Sequence, residues 1–209
     1  LTFNHGTMEC SNKRAQRLQK AIEINGEWRT GIVVNCGKCA ECIETRRMQW
    51  GFRLETELEN SYTAYFVTLT YDWKHVPYDK YGNKVLKKKD LQNFMKRLRR
   101  HQELSAVTWE HLYNGLPAKC KVSFYGTGEY GDLKSRPHYH AIIFNASEAN
   151  IYKAWNDENG DPIGDVMVVK ANRHTIGYVM KYLDKRVDKV QDWKKPKEFS
   201  LMSKGLGYD

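Results

Sequence analysis

The sequence predicts an α+β fold, a central antiparallel β-sheet carrying a His-x-His strand with helices packed on its faces. Two strand-like runs, Lys121 to Tyr130 and His138 to Asn145, are joined by the short stretch Gly131 to Pro137, so they pair locally as a hairpin. Amphipathic helical segments fall between the strand-like runs. A strand, Gly-rich loop and helix in succession is missing, which argues against a doubly wound nucleotide-binding sheet. At 209 residues the chain suits one domain with a small appendage, long enough to bury a core.

Residues 1–27 are polar and read as irregular, and Trp28 to Asn35 reads as a short strand ending at a cysteine cluster. From Glu41 to Glu59 the apolar positions Ile43, Met48, Trp50, Phe52, Leu54 and Leu58 suit a helix. Thr63 to Tyr71 is rich in β-branched and aromatic residues and reads as a central strand. Lys74 to Lys89 is a basic loop with Pro77 and Tyr81-Gly82-Asn83 as turn signals. Asp90 is the expected N-cap of a helix to Glu103, with Leu91, Phe94, Met95 and Leu98 as its apolar stripe. Ser147 caps a short helix to Asp157, Val166 to Lys170 makes another strand, and Asn172 or Thr175 opens a helix through Lys185.

The formal charge of +9 and pI near 9.2 favour a polyanionic partner, although a basic solvated surface is common. No run of 18 apolar residues is present, so no membrane span is expected. No charged-then-apolar leader opens the chain, so export is not expected. The sequence begins at Leu1 without a Met, as a trimmed chain would.

The chemistry is concentrated in two segments. Alternate residues of a strand share a face, so His138 and His140 point one way and Tyr139 the other. Glu129, just before the turn into this strand, is the expected third ligand. Two imidazoles and a carboxylate leave positions open for a phosphate oxygen and water; the set suits Mg²⁺ or Mn²⁺, and zinc also accepts these ligand types. An isolated His-x-His arises easily by chance; Glu129 and the second segment favour the ligand reading.

That second segment is Gly177 to Tyr182. Tyr178 and Tyr182 are four apart and share a helix face, flanked by Lys181 and Lys185, with His174 one turn earlier. In a chain with 13 tyrosines such spacing more often means packing. Beside a metal, however, a phenol can attack a phosphodiester, with Lys181 supplying a stabilising cation.

Phe66-Val67-Thr68-Leu69-Thr70, Pro137-His138-Tyr139-His140 and Tyr178-Val179-Met180-Lys181-Tyr182, in that order, resemble the motifs of the HUH endonucleases, the rolling-circle initiators. Cys36-Gly37-Lys38-Cys39, Thr68 to Asp72, Phe94 to Arg99 and Gly128-Glu129-Tyr130-Gly131 are similar to the replication initiators of Microviridae, in particular the gokushovirus branch. The resemblance covers about residues 30–205. It implies the HUH fold, with the histidine strand near the sheet centre and the tyrosine helix beside it. It implies His138, His140 and Glu129 as metal ligands, Tyr178 and Tyr182 as nucleophiles, and Lys181 as their assistant. The implied activity is a site-specific single-stranded DNA endonuclease and strand transferase working through a 5′-phosphotyrosine. The implied partners are origin DNA and host replication proteins, in the cytoplasm of the bacterial host. It also implies further residues after Asp209.

Cys36, Cys39 and Cys42 bring three sulfurs together, and Cys10 is the natural fourth for a structural zinc site. An iron–sulfur site or free thiols are the alternatives, and Cys120 reads as a small buried hydrophobe. Residues 1–45 are therefore expected to form an arm with this cluster, and 46–209 the endonuclease domain, integrated as one domain. Lys87, Lys88, Lys89, Lys96, Arg97, Arg99 and Arg100 are candidate phosphate contacts, and Trp73, Tyr78, Tyr81 and Trp109 candidate stacking platforms. Arg46, Arg47 and Arg53 suit helix ion pairs equally well. Competing readings are a plasmid relaxase or transposase, a non-catalytic zinc-stabilised nucleic-acid-binding module, and a structural phage protein that packages DNA by charge.

Overall fold

The computed structural model describes residues 9–105, 121–131, 135–188 and 195–208, with the backbone alone over 182–188. Trp109 and Cys120 lie outside the described residues. The elements are β1 (Arg14–Ile24), β2 (Glu27–Val34), α1 (Ala40–Glu59), β3 (Ala64–Thr70), α2 (Lys88–Leu104), β4 (Ser123–Tyr130), β5 (Pro137–Phe144), α3 (Glu148–Ala154), β6 (Val166–Lys170), α4 (Arg173–Asp188) and β7 (Phe199–Met202).

Five strands form one antiparallel sheet in the order β6-β3-β5-β4-β7, so the histidine strand β5 is the middle one. The sheet is an α+β core with helices on both faces. On one face Val67, Leu69, Tyr139, Ala141 and Ile143 pack with Leu91, Phe94, Met95 and Leu98 of α2 and Ile151 and Ala154 of α3. On the other, Phe66, Tyr125, Ile142 and Phe144 pack with Leu54 of α1 and Ile176, Val179 and Met180 of α4. Period-two alternation divides each strand between these cores. His138, His140, Glu129 and Thr68 share the second face with α1 and α4.

Three expectations need correction. Residues 14–24 are a strand, not irregular: β1 pairs with β2 as a separate two-stranded ribbon. Its residues are mostly exposed on both sides, so no hydrophobic alternation marks it. Asn25 and Gly26 form its turn, both at positive φ, 51° and 80°, as a tight hairpin turn requires. Second, α2 starts at Lys88 with no side-chain cap, and Asp90 lies in its first turn. Asp90 instead accepts the Tyr71 hydroxyl at 2.7 Å. Tyr71 and Tyr139 hydroxyls lie 2.6 Å apart, and Tyr139 donates to the Lys87 carbonyl at 2.9 Å. This buried chain ties the start of α2 to the centre of the sheet. Third, the helix expected to reach Asp157 stops at Ala154, and Trp155 turns into the core and donates to the Thr70 carbonyl at 2.8 Å. β7, which the sequence did not suggest, adds an edge strand to β4.

Helix α4 opens as the sequence proposed. Asn172 Oδ1 accepts the amides of His174 and Thr175 at 2.9 and 3.0 Å, and Thr175 Oγ1 accepts the Asn172 amide at 2.8 Å. This reciprocal cap satisfies orphan donors of the first turn. No described helix is long and apolar enough to cross a membrane.

Candidate active site

Register creates the first cluster. Glu129 of β4 lies directly opposite His138 of β5, and Thr68 of β3 directly opposite His140. Glu129 Oε1 is 2.6 Å from His138 Nε2 and 3.0 Å from His140 Nε2. One carboxylate oxygen therefore sits between two imidazoles, at the buried end of the sheet. The three ligand atoms lie within 4.8 Å of one another.

The outward nitrogens fix how the rings face. His138 Nδ1 donates to the Arg136 carbonyl at 3.1 Å, because a carbonyl can only accept. His140 Nδ1 lies 2.9 Å from Thr68 Oγ1. In the neutral ring, a proton on Nδ1 leaves a lone pair on Nε2. For His138 that lone pair and the Glu129 carboxylate oxygen, 2.6 Å apart, repel unless a proton or a cation sits between them. The electrostatics reflect this. Burial works to raise the Glu129 pKa, but hydrogen bonds from His138 and His140 outweigh it and hold the carboxyl near pKa 2. Burial likewise opposes charge on His138, yet the bond to Glu129 prevails and raises its pKa. The donor set fits a divalent cation: mixed nitrogen and oxygen, one anionic ligand, and orienting partners behind both rings.

Tyr178 lies beside this cluster. Its ring meets His140 edge-on, with centroids 5.8 Å apart at 84°, and meets Phe66 at 5.7 Å. Phe66 in turn stacks on His140 at 5.5 Å and 13°. Tyr178 is 45% exposed, so a strand of nucleic acid can reach it. The chain reverses between β6 and α4, so α4 runs from the Ala64 end of β3 toward the Thr70 end. Tyr182 follows Tyr178 by one turn of α4, about 6 Å along the axis, while His138 is two strand residues, about 6.7 Å, beyond His140. Lys181 and His174 are exposed on α4.

Thr68 is a candidate site residue that went unassigned in the sequence. Its signal was a polar side chain inside an apolar strand, sharing a face with Phe66 while Val67 and Leu69 bury opposite. Thr127 flanks His140 from β4 in the same register, 1% exposed, and its hydroxyl is without a partner among the described residues.

The cysteines form the second cluster. Cys10 precedes β1, Cys36 follows β2, Cys39 caps α1 and Cys42 lies in its first turn. Their sulfurs lie within 4.8 Å of one another, with Cys36 to Cys42 at 3.9 Å and Cys39 to Cys10 at 3.7 Å. A tetrahedron with metal–sulfur bonds of about 2.3 Å has edges of about 3.8 Å. Backbone amides of Lys38 and Cys39 point at Cys36 Sγ and lower its pKa to about 6. Beside Glu41, Cys39 is pushed up to about 12. With no cation among them the four sulfurs cannot all be thiolates.

The basic residues of α2 do not join the histidine site, since α2 covers the opposite face of the sheet. Arg97 Nε donates to the Ala154 carbonyl at 2.8 Å and Arg99 Nε to the Val122 carbonyl at 3.4 Å. Burial depresses both guanidinium pKa values. These two half-buried arginines tether α2 to backbone carbonyls on the sheet face opposite the histidines. Lys87, Lys88, Lys89, Lys96 and Arg100 are exposed. Arg47 pairs with Glu44 at 2.8 Å, and Arg53 lies between the rings of Trp50 and Tyr208, 4.2 Å from each.

Comparison with known proteins gives consistent matches. The replication-associated protein ORF2 family matches residues 64–187. The chain is 26% identical over 201 residues to the replication-associated protein ORF2 of Spiroplasma virus 4, covering 88% of this chain and 59% of that protein. It is 31% identical over 109 residues to the replication-associated protein ORF4 of Chlamydia phage 1, covering 52% of this chain and 23% of that protein. The replication-associated protein VP4 of Bdellovibrio phage phiMH2K is 31% identical over 130 residues, 61% of this chain and 36% of that protein. The chain thus spans less than two thirds of the length of each of these relatives. No solved structure matches significantly.

Proposed function

The chain belongs to the replication-associated protein ORF2 family, and from that premise we propose that it nicks and rejoins single-stranded DNA to initiate rolling-circle replication of a phage genome. The observation that carries this reading is the convergence of His138 Nε2, His140 Nε2 and Glu129 Oε1 with the exposed Tyr178 ring 5.8 Å from His140.

His138, His140 and Glu129 would hold Mg²⁺ or Mn²⁺, which when bound supplies polarisation of the target phosphate. The Tyr178 or Tyr182 oxygen attacks phosphorus while the bond to the 3′ oxygen breaks. The phenolic proton passes through solvent to the departing oxygen, giving a 5′-phosphotyrosine and a free 3′-hydroxyl. Lys181 offsets charge as it builds on the phosphate. A second tyrosine one turn away accepts the DNA in a later transfer without release. Cys10, Cys36, Cys39 and Cys42 would hold a structural zinc that pins the β1–β2 ribbon to α1, with residues 1–45 as the arm and 46–209 as the endonuclease domain. The proposed partners are origin DNA and host replication proteins, in the bacterial cytoplasm. Incubation with origin-containing single-stranded DNA and Mn²⁺ is expected to give ends that a polymerase extends. Products ending in a 3′-phosphate would contradict tyrosine attack from this site.

Metal binding at this site competes with a proton. The His138 pKa is raised from 6.5, so His138 carries a proton up to a higher pH than a free imidazole, and the cation must displace it. Mn²⁺ affinity measured calorimetrically should therefore rise from pH 6 to 8, by as much as about tenfold per unit below the His138 pKa. Affinity that is flat with pH would mean that His138 is not a ligand.

A further inference from the structure

We propose that the loop between β3 and α2 is a second subsite, a stacking platform for unpaired bases of the DNA strand beside the cleaved phosphate. The proposal rests on the single-stranded DNA reading above and assigns that substrate a place outside the histidine cluster.

Trp73, Tyr78 and Tyr81 are 79%, 54% and 73% exposed. Large aromatic rings held in water need a reason. Two carry a cation: Lys74 Nζ lies 5.5 Å from the Trp73 ring centre and Lys80 Nζ 4.9 Å from that of Tyr81. Between residues 73 and 89 the sequence has six lysines and one aspartate. Such rings interleaved with cations match the alternating base and phosphate of a single strand. A protein partner fits less well, because lysine is depleted at protein interfaces.

The loop is built rather than slack. Asp72 Oδ1 accepts the amides of Lys74 and His75 at 2.9 and 2.8 Å. Asp79 accepts the amides of Tyr81 and Asn83 at 2.8 and 2.9 Å, closing a turn in which Tyr78 pairs with Lys84. Both carboxylates are held by donors and so oppose an incoming phosphate less. A backbone fixed in this way loses little freedom when a base binds.

One end of the loop adjoins the proposed active site. It leaves β3 just after Thr70, which pairs with His138. The Tyr71 carbonyl accepts the guanidinium of Arg136, whose own carbonyl orients His138. The loop returns at Lys87 on the opposite face of the sheet, where the Lys87 carbonyl accepts the hydroxyl of the buried Tyr139 and so anchors this end of the loop.

The test is anisotropy titration with a labelled oligothymidylate of about twenty nucleotides, without added divalent metal. Trp73→Ala, Tyr81→Ala and the double variant are compared with the unaltered chain, and circular dichroism checks that each is folded. Each ring removed should weaken binding about 5- to 100-fold, with no comparable loss on a duplex of the same length. The salt dependence should fall only when Lys74 and Lys80 are replaced. Oligothymidylate binding unchanged in the double variant, or lost equally on duplex, overturns the platform. So does absence of binding by the unaltered chain. If the chain fails to nick origin DNA while the variants still lose oligothymidylate affinity, the nuclease reading fails and the platform stands. If it nicks and the variants bind normally, only the platform fails.

Discussion

His140→Ala is expected to lower the rate of single-stranded DNA nicking by about a thousandfold or more while leaving affinity for the DNA within a few-fold. His140 is 6% exposed, supplies one Nε2 to the cluster, and is flanked by Thr68 and Phe66. Its removal would cost one of the three proposed ligands and the surface against which Tyr178 lies. Several kcal/mol of charge stabilisation by a cation, at about 1.4 kcal/mol per factor of ten, makes a loss of that size. Gel-based cleavage at saturating DNA reads the rate, and anisotropy the binding. Parallel loss of binding and cleavage would instead favour a non-catalytic nucleic-acid-binding module.

Replacing Cys36 and Cys39 together by serine is expected to release one equivalent of zinc and lower Tm by on the order of 10 °C. The four sulfurs come from the two ends of the β1–β2 ribbon and the first turn of α1. That ribbon is a separate two-stranded sheet, mostly exposed, and two strands alone are marginal in water. A metal on the four sulfurs would fasten this segment to α1. Mass spectrometry under native conditions counts the zinc, and calorimetry gives Tm. Unaltered zinc content and Tm would leave the cysteines as free thiols.

The sequence was most informative where local pattern and register coincide. His138, His140 and Glu129 could be brought together because a hairpin places residues before its turn opposite those after it. Asn172 could be read as a cap because its side chain bonds within its own first turn. Cys10 could join the triplet because four sulfurs are what a tetrahedral cation requires. The rest depended on facts that are not local. β1 is polar on both faces, so alternation could not reveal it. Asp90 has the residue type of a cap, but a tyrosine from the end of β3 claims its carboxylate. Arg97 and Arg99 look like phosphate contacts in a basic run, yet their helix faces away from the histidines and their guanidinium groups serve backbone carbonyls. Thr68 needed the β3–β5 register before its hydroxyl could be matched to His140 Nδ1. The family resemblance agrees with the replication-associated matches, and the predicted α+β class with a central antiparallel sheet agrees with the observed strand order.

Covalent capture tests the central claim most directly. Single-stranded origin DNA labelled 3′ to the cleavage point is incubated with the chain and Mn²⁺, denatured, and resolved by gel. A protein band carrying the label is expected, with the phosphate on Tyr178 or Tyr182 by peptide mass spectrometry. It should vanish in the Tyr178→Phe, Tyr182→Phe double variant. An adduct that persists in that variant, or cleavage with no adduct at all, would contradict tyrosine as the nucleophile.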